Sequence, residues 1–354
     1  MNNFITSAVR TGKASSKMIA FAFVLLYNSV FAQSQNLNGH KLLYHDAYSE
    51  ISQMLEDKQP LNFKRAIFLM ENAFLNGSWK YEQFSEQIQS ITNKLQLLIK
   101  ERHFEKFKTA GNWAAFTYMV DSISQNDFKP YKYDFDNFLP TKDPTVGFVT
   151  KLITTGKGNC VSLPELYKIL TNELQCTAYL ALAPMHCYIK HKDENGKWVN
   201  LEMTSGSFAR DEWIMQESGV TVEQIKTGIY MNALTEKETL ASVLNDLAAN
   251  YQFQFGCDGF DLLVAETALK YYPKGVHIYM VKFEHYRKML LQARQQNNSV
   301  SVDHYNRILF GIDQKLAELA YKEPSKQDYE EWVRDNEKNR LLQESKTQIK
   351  SNNK

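Results

Sequence analysis

The chain has 354 residues with a formal net charge of +1, and 44% of its residues are hydrophobic. This composition excludes a disordered chain, because disorder requires few apolar residues and a high net charge. The balanced charge, without a Lys/Arg stripe, also argues against nucleic acid or an anionic membrane surface as the main partner.

The N-terminus has the pattern of a secretory signal peptide. Basic residues within positions 10–17 precede the apolar run 18–26, and Val30-Phe31-Ala32 supplies the small residues read before cleavage at Gln33. The apolar run is too short to span a bilayer, which needs about 20 residues. We therefore expect residues 1–32 to be removed, and the mature protein to be periplasmic or secreted with no integral membrane segment.

A helical region and a connection are predicted over 33–144. Asn62 can cap its first clear helix, and Gly77 can stop it. The proline-containing segment 126–147 is predicted to be a long irregular connection. The predicted helices are 61–77, 79–107 and 112–125.

The helical pattern of the N-terminal region gives way to mixed helix and strand patterns over 145–234, where we predict a small α+β core. The residues Asp193-Glu194-Asn195-Gly196 are typical of a hairpin turn between two strands. The predicted helices are 146–154 and 160–174, and the predicted strands are 177–183, 185–191 and 197–204.

Helices return over 235–345. Ser301 and Ser325 are predicted N-caps of the last two helices, and Asp328 completes a capping box with Ser325. The polar tail 346–354 is expected to fray. The predicted helices are 236–254, 258–272, 275–296, 302–321 and 325–345.

Cys160 is placed at the start of the predicted helix 160–174. Leu163 follows three residues later, so Cys160 is in phase with the apolar face, and Pro164 suits the first turn. Free N–H groups at a helix N-terminus stabilise a thiolate and could stabilise a developing oxyanion. From the residues alone, Cys160 is a nucleophile, half of a disulfide, or a small buried side chain.

The other cysteines are Cys176, Cys187 and Cys257. An exported protein meets an oxidising compartment, so a disulfide stays open for them. A Cys176–Cys187 bridge would need Cα atoms within about 7 Å, and we favour free, buried thiols. Cys187 is expected on the apolar face of its strand.

His186 is the candidate base for Cys160. Strand alternation places one apolar face of the hairpin in the core and gives the other face the polar side chains. A three-residue loop with Gly196 in a left-handed conformation would pair His186 with Thr204 and make Glu202 its diagonal neighbour. A loop of two or four residues would place Glu202 on the wrong face.

These residues lie in a segment, 145–215, that resembles the transglutaminase-like superfamily, whose core is papain-like. The resemblance is carried by GNCVSLPELYKILTNELQCTAYLALAPMHCYIKH and then GKWVNLEMTSG. It implies Cys160 as nucleophile, His186 as base and Glu202, where the family usually has Asp, as the orienting acid. The supporting or alternative residues are Trp198 and Thr204, which match flanking positions, and Asn200, since papain-like folds can use an amide as orienter.

The helices after 235 resemble tetratricopeptide-type helices that follow this core in a bacterial branch, with Ala265, Ala268 and Pro273 fitting the pattern. The resemblance implies a thiol-dependent enzyme acting on peptides or proteins outside the cytoplasm. Water as acceptor would give a peptidase or amidase, and an amine would give an acyltransferase. The alternative is a catalytically silent fold that binds a peptide or protein.

No cofactor or metal is predicted. Cys187 lies beside His186 and near His191, but the spacing matches no metal-binding motif, and adjacent strand residues point to opposite faces. No side-chain oxyanion donor is identified upstream of Cys160.

Overall fold

The computed structural model describes residues 37–139 and 143–352, so the proposed signal peptide lies outside the described residues. The fold is α+β and mostly helical. The helices are α1 (37–55), α2 (Phe63–Phe74), α3 (Tyr81–Glu101), α4 (Ala110–Val120), α5 (Val149–Thr155), α6 (Ser162–Glu173), α7 (Asp211–Ser218), α8 (Val222–Thr227), α9 (Glu236–Phe255), α10 (Phe260–Tyr271), α11 (Val276–Gln295), α12 (Ser299–Glu318) and α13 (Lys326–Asn352). The strands are β1 (Lys132–Tyr133), β2 (Lys157–Gly158), β3 (Tyr179–Ala183), β4 (His186–Lys192), β5 (Trp198–Glu202) and β6 (Ser207–Ala209).

The strands form two sheets. Strands β3, β4, β5 and β6 form an antiparallel sheet in sequential order, and β1 pairs in parallel with β2. The segment 126–147 is therefore less irregular than predicted. Two residues of parallel pairing, Lys132 with Lys157 and Tyr133 with Gly158, are too few to produce a recognisable strand pattern.

Each face of the antiparallel sheet packs on a core. The face with Cys187 and Ile189 packs into a core shared with α6 and the N-terminal helices. The opposite face, with Tyr188, packs on a second core that includes Ile229 and Ile312. The expectation that only one hairpin face belongs to a core was wrong, because the segment after β6 and the C-terminal helices cover the other.

The N-terminal helices differ from the predicted ones at their ends. Asn62 caps α2 as predicted, accepting a hydrogen bond from Arg65 N at 2.9 Å. The helix ends at Phe74, before Gly77, which adopts a φ of +71° in the following turn. Helix α1 was not predicted as an element, although Tyr44 of this helix is fully buried.

The C-terminal helices confirm one predicted cap and correct another. Ser325 and Asp328 form the predicted capping box, with Ser325 N donating to Asp328 Oδ2 at 2.7 Å. Helix α12 begins earlier than predicted, because Asn298 and not Ser301 provides the cap. Helix α13 continues to Asn352 through the predicted tail, since no Gly or Pro interrupts it.

Within the described part of the chain, none of the helices combines the length and apolar composition needed to cross a membrane.

Candidate active site

The hairpin of β4 and β5 has the register that the three-residue loop predicts. Asp193 N donates to Lys197 O at 2.8 Å around a three-residue loop, and Gly196 has a φ of +80°. Lys190 is paired with Asn200. This register places Glu202 on the same face as His186, as the candidate site requires. Strand β5 ends at Glu202, so Thr204 lies beyond the ladder instead of opposite His186.

His186 and Glu202 form a direct hydrogen-bonded pair. The Nε2 of His186 donates to Glu202 Oε2 at 2.5 Å. The other carboxylate oxygen of Glu202 accepts from Thr204 N at 2.9 Å and from Thr204 Oγ1 at 2.7 Å. Glu202 is only 2% exposed, so these contacts fix its orientation. Thr204 thus holds the acid, and the acid holds the imidazole through Nε2, which leaves Nδ1 free for the thiol.

The pair is arranged to be ionised. Burial lowers the pKa of His186, but hydrogen bonding to Cys160 and Glu202 and their negative charges outweigh it and raise that pKa to about 10. Burial raises the pKa of Glu202, and the contacts with His186 and Thr204 outweigh it and hold that pKa below its ordinary value. These contacts therefore stabilise the imidazolium that His186 forms when it takes the proton of the Cys160 thiol.

Cys160 lies half-buried two residues before α6, beside the turn that opens β4. Its Sγ donates a long hydrogen bond to Met185 O at 3.9 Å. Met185 adopts a φ of +54° in the two-residue turn between Ala183 and His186. The turn and the helix start thus bring together Cys160 and His186, which the sequence separates by a helix and a strand.

The helix N-terminus is less open than the sequence suggests. The side-chain oxygen Oδ1 of Asn159 accepts hydrogen bonds from Val161 N at 2.9 Å and Ser162 N at 3.2 Å. These two N–H groups are therefore not free to stabilise an oxyanion, contrary to the prediction. The N–H of Cys160 itself forms no hydrogen bond with the described residues, which leaves it available as a donor.

Tyr133 is a candidate site residue that the sequence reasoning missed. It is 8% exposed and pairs with Gly158, two residues before Cys160, and Asp134 N donates to Gly158 O at 2.7 Å. Burial raises the pKa of Tyr133, and the charges of Cys160 and Glu202 raise it further. Its hydroxyl is therefore a neutral donor in the electrostatic environment of the thiol. A two-residue strand within an aromatic-rich connection offers no signal by which to single it out.

Two of the predicted supporting residues lie away from the imidazole. Asn200 is 5% exposed and its Nδ2 donates to Asp211 Oδ1 at 2.8 Å and to Ala209 O at 3.1 Å, so it ties β5 to β6. Trp198 pairs with Lys192 at the far end of the hairpin, about 13 Å along the strand from Glu202. It stacks edge-on with Tyr179 and is 44% exposed. Neither residue orients His186.

All four cysteines lie among the described residues, and each is a free thiol. Cys187 is 7% exposed and lies on the apolar face of β4, as predicted, and burial raises the pKa of its thiol. Cys176 is half-buried, and its Sγ lies 3.4 Å from Lys108 O.

A groove of about 470 Å³ lies between α4 and the hairpin, with Trp113, Phe116, Leu201 and Phe208 among its lining residues. Leu201 points to the face opposite Glu202, so this groove does not open onto the Cys160 site.

A comparison with protein-family models finds no match, and no curated protein matches the chain. Among solved structures, the chain is similar to the crystal structure of menin that reveals the binding site for the Mixed Lineage Leukemia (MLL) protein. That alignment has a TM-score of 0.38 and 12% sequence identity, and it covers 73% of this chain and 68% of that chain. At this TM-score the similarity carries no inference about function.

Proposed function

We propose that the protein is an exported, transglutaminase-like cysteine enzyme that performs acyl transfer or amide hydrolysis. Cys160 is the nucleophile, His186 the general base and acid, and Glu202 the residue that orients the imidazole. One observation carries the proposal: the buried Glu202, held by Thr204, receives the hydrogen bond from His186 Nε2 at 2.5 Å beside Cys160.

The proposed reaction follows from this arrangement. The Cys160 proton passes to His186, and the sulfur attacks the carbonyl carbon of a carboxamide or peptide. A C–S bond forms and the C–N bond breaks, and His186 gives its proton to the departing amine. The resulting thioester is then cleaved by water in hydrolysis, or by a second amine in transfer. Glu202 stabilises the imidazolium that forms in each half of the cycle.

The oxyanion of the tetrahedral intermediate needs donors other than the first N–H groups of α6. The candidates are the N–H of Cys160, which has no partner among the described residues, and the neutral hydroxyl of Tyr133, whose pKa responds to the charge of Cys160. In this proposal one main-chain donor and one side-chain donor stabilise the oxyanion together.

The test is the alkylation rate of Cys160 by iodoacetamide near neutral pH, followed residue by residue by peptide mass spectrometry. Cys160 should react much faster than Cys176, which is also half-buried. Glu202→Gln should slow alkylation by orders of magnitude, up to ~10⁴-fold, because loss of the corresponding acid has that effect elsewhere.

Asn200→Ala is the matched control, because Asn200 lies on the same face of β5 as Glu202 but does not contact His186. It should leave the alkylation rate of Cys160 unchanged. If Asn200→Ala abolishes the reactivity and Glu202→Gln does not, Glu202 is not the orienting acid.

A second candidate is a catalytically silent fold that binds a peptide or protein. The observation favouring it is that Asn159 occupies the N–H groups of Val161 and Ser162, which reduces the capacity of this helix start to stabilise an oxyanion. Alkylation of Cys160 no faster than that of a thiol in the urea-unfolded chain would select this binding function over catalysis.

A further inference from the structure

A second cluster of chemically competent side chains lies among the C-terminal helices, apart from Cys160. Cys257 follows α9, Asp261 is in the first turn of α10, and His285 is on α11. Each offers one potential ligand atom, and these three atoms lie within 4.8 Å of one another. No motif spacing in the sequence joins the three residues.

The cluster is buried and ordered by its own contacts. Asp261 is fully buried and His285 is 6% exposed, whereas Cys257 is half-buried at the edge. The Oδ2 of Asp261 accepts from His285 Nδ1 at 2.8 Å and from Gln252 Nε2 at 2.7 Å, and Gly259 N donates to its Oδ1 at 3.1 Å. These contacts fix the carboxylate and the imidazole, and the Cys257 thiol lies within 4.8 Å of a ligand atom of each.

We propose that Cys257, Asp261 and His285 form a binding site for a single Zn²⁺ ion, with water as the fourth ligand. Thiolate, imidazole and carboxylate are the ligand types that Zn²⁺ prefers. Tetrahedral coordination at about 2.0–2.3 Å places ligand atoms roughly 3.3–3.8 Å apart, which requires only small side-chain movements here. On binding, the Cys257 S–H bond breaks, the sulfur binds the metal, and the proton leaves to solvent. His285 binds as a neutral imidazole whose remaining proton lies on the ring nitrogen away from the metal, so the two metal bonds replace the hydrogen bond between Nδ1 and Asp261.

The charge and surroundings of the cluster fit a dication. One thiolate and one carboxylate neutralise Zn²⁺, so the buried Asp261 gains a strong counter-charge. Gln252 and Gly259 already hold Asp261 from outside, as residues that support metal ligands do. The carboxylate of Glu284, the residue before His285, accepts from Arg287 Nε at 2.7 Å and from Arg287 Nη2 at 2.9 Å, so the proposal assigns the fourth position to water.

The consequence for the fold is a cross-link between helices. The ion would join the loop after α9 to the start of α10 and to the middle of α11. These three helices pack on one another, so the ion would stabilise the C-terminal region independently of the Cys160 site.

The proposal is tested by titrating the full chain with Co²⁺. The parent protein and all variants carry Cys160→Ser, so that the candidate active site cannot supply a thiolate. The parent should bind one Co²⁺ with sulfur-to-cobalt charge-transfer absorption, and Zn²⁺ should displace it. Cys257→Ser should abolish the charge-transfer band, and His285→Gln should weaken binding at least ~100-fold. Gln252→Ala, which removes only a support of Asp261, should weaken binding ~10-fold.

Cys176→Ser is the matched control, because Cys176 is also a half-buried free thiol, and it should leave the charge-transfer band intact. Zn²⁺ should raise the melting temperature of the parent and of Cys176→Ser but not of Cys257→Ser, whose edge position allows it to fold. Absence of Co²⁺ binding, or a charge-transfer band that persists in Cys257→Ser, overturns the proposal.

Discussion

Glu71 should make the stability of the protein fall as the pH rises. Glu71 lies on α2, is fully buried, and accepts hydrogen bonds from Val149 N at 2.6 Å and Thr150 N at 2.9 Å at the start of α5. Two effects oppose each other there, because burial disfavours the carboxylate whereas the N–H groups of a helix start favour it. Burial dominates and raises the pKa of Glu71 from 4.5 to about 7.

The size of the effect follows from this shift. Each pKa unit corresponds to about 1.4 kcal/mol, so a shift from 4.5 to about 7 changes the free energy of unfolding by about 3 kcal/mol. Because the folded state binds the proton more tightly than the unfolded state, this contribution is fully present below pH 4.5. It is lost as the pH rises through about 7.

The perturbation is Glu71→Gln, which keeps the shape of the protonated acid and cannot ionise. Urea unfolding of the variant and the wild type at several pH values between 4 and 8.5 measures the difference in their free energies of unfolding. The free energy of unfolding of the variant, relative to that of the wild type, should rise by about 3 kcal/mol from the lowest to the highest pH. Glu82→Gln, which removes the same charge from an exposed position on α3, controls for net charge.

The opposite sign would refute this reasoning. If the wild type gains stability over Glu71→Gln as the pH rises, the helix N-terminus of α5 outweighs burial. A difference that does not change with pH would show that Glu71 is not buried in the folded protein as described.

Three further predictions concern the candidate active site. Thr204→Val removes the 2.7 Å hydrogen bond to Glu202, which should raise the pKa of that acid and slow alkylation of Cys160 about tenfold. Gly158→Ala would place a Cβ 2.5 Å from the hydroxyl of the first residue of α6. Urea unfolding should therefore show a free energy of unfolding lower by about 1–3 kcal/mol. Tyr133→Phe should slow acylation of Cys160 by p-nitrophenyl acetate ~100-fold without changing its alkylation by iodoacetamide, because only acylation passes through an oxyanion.

Each of these has a control or a contradicting outcome. Gly311→Ala on α12 meets no atom within 4 Å and should be neutral or stabilising by up to about 1 kcal/mol. Equal slowing of acylation and alkylation in Tyr133→Phe would indicate a structural role for Tyr133. An unchanged alkylation rate in Thr204→Val would show that Thr204 does not hold Glu202 in a functionally relevant orientation.

The amino-acid sequence by itself determined the hairpin that carries two members of the candidate triad. Strand alternation and a glycine suited to a left-handed turn restricted the hairpin to a few loop lengths. The pairing of Lys190 with Asn200 confirms the three-residue loop among them, which is the one that the candidate triad requires. It also determined the caps at Asn62 and Ser325. These features depend on residues only a few positions apart, so local backbone preferences specify them.

The tertiary structure decided what lies next to these local features. Only the fold shows that Tyr133 pairs with Gly158 and that a second core covers the Tyr188 face of the sheet. The same holds for the side chain of Asn159, which accepts a hydrogen bond from the N–H just before α6. The cluster that contains Cys257 and His285 is also visible only in the fold, since its members come from separate elements. Such contacts depend on how helices pack after distant segments meet, and packing leaves no periodic pattern in the chain from which they could be predicted.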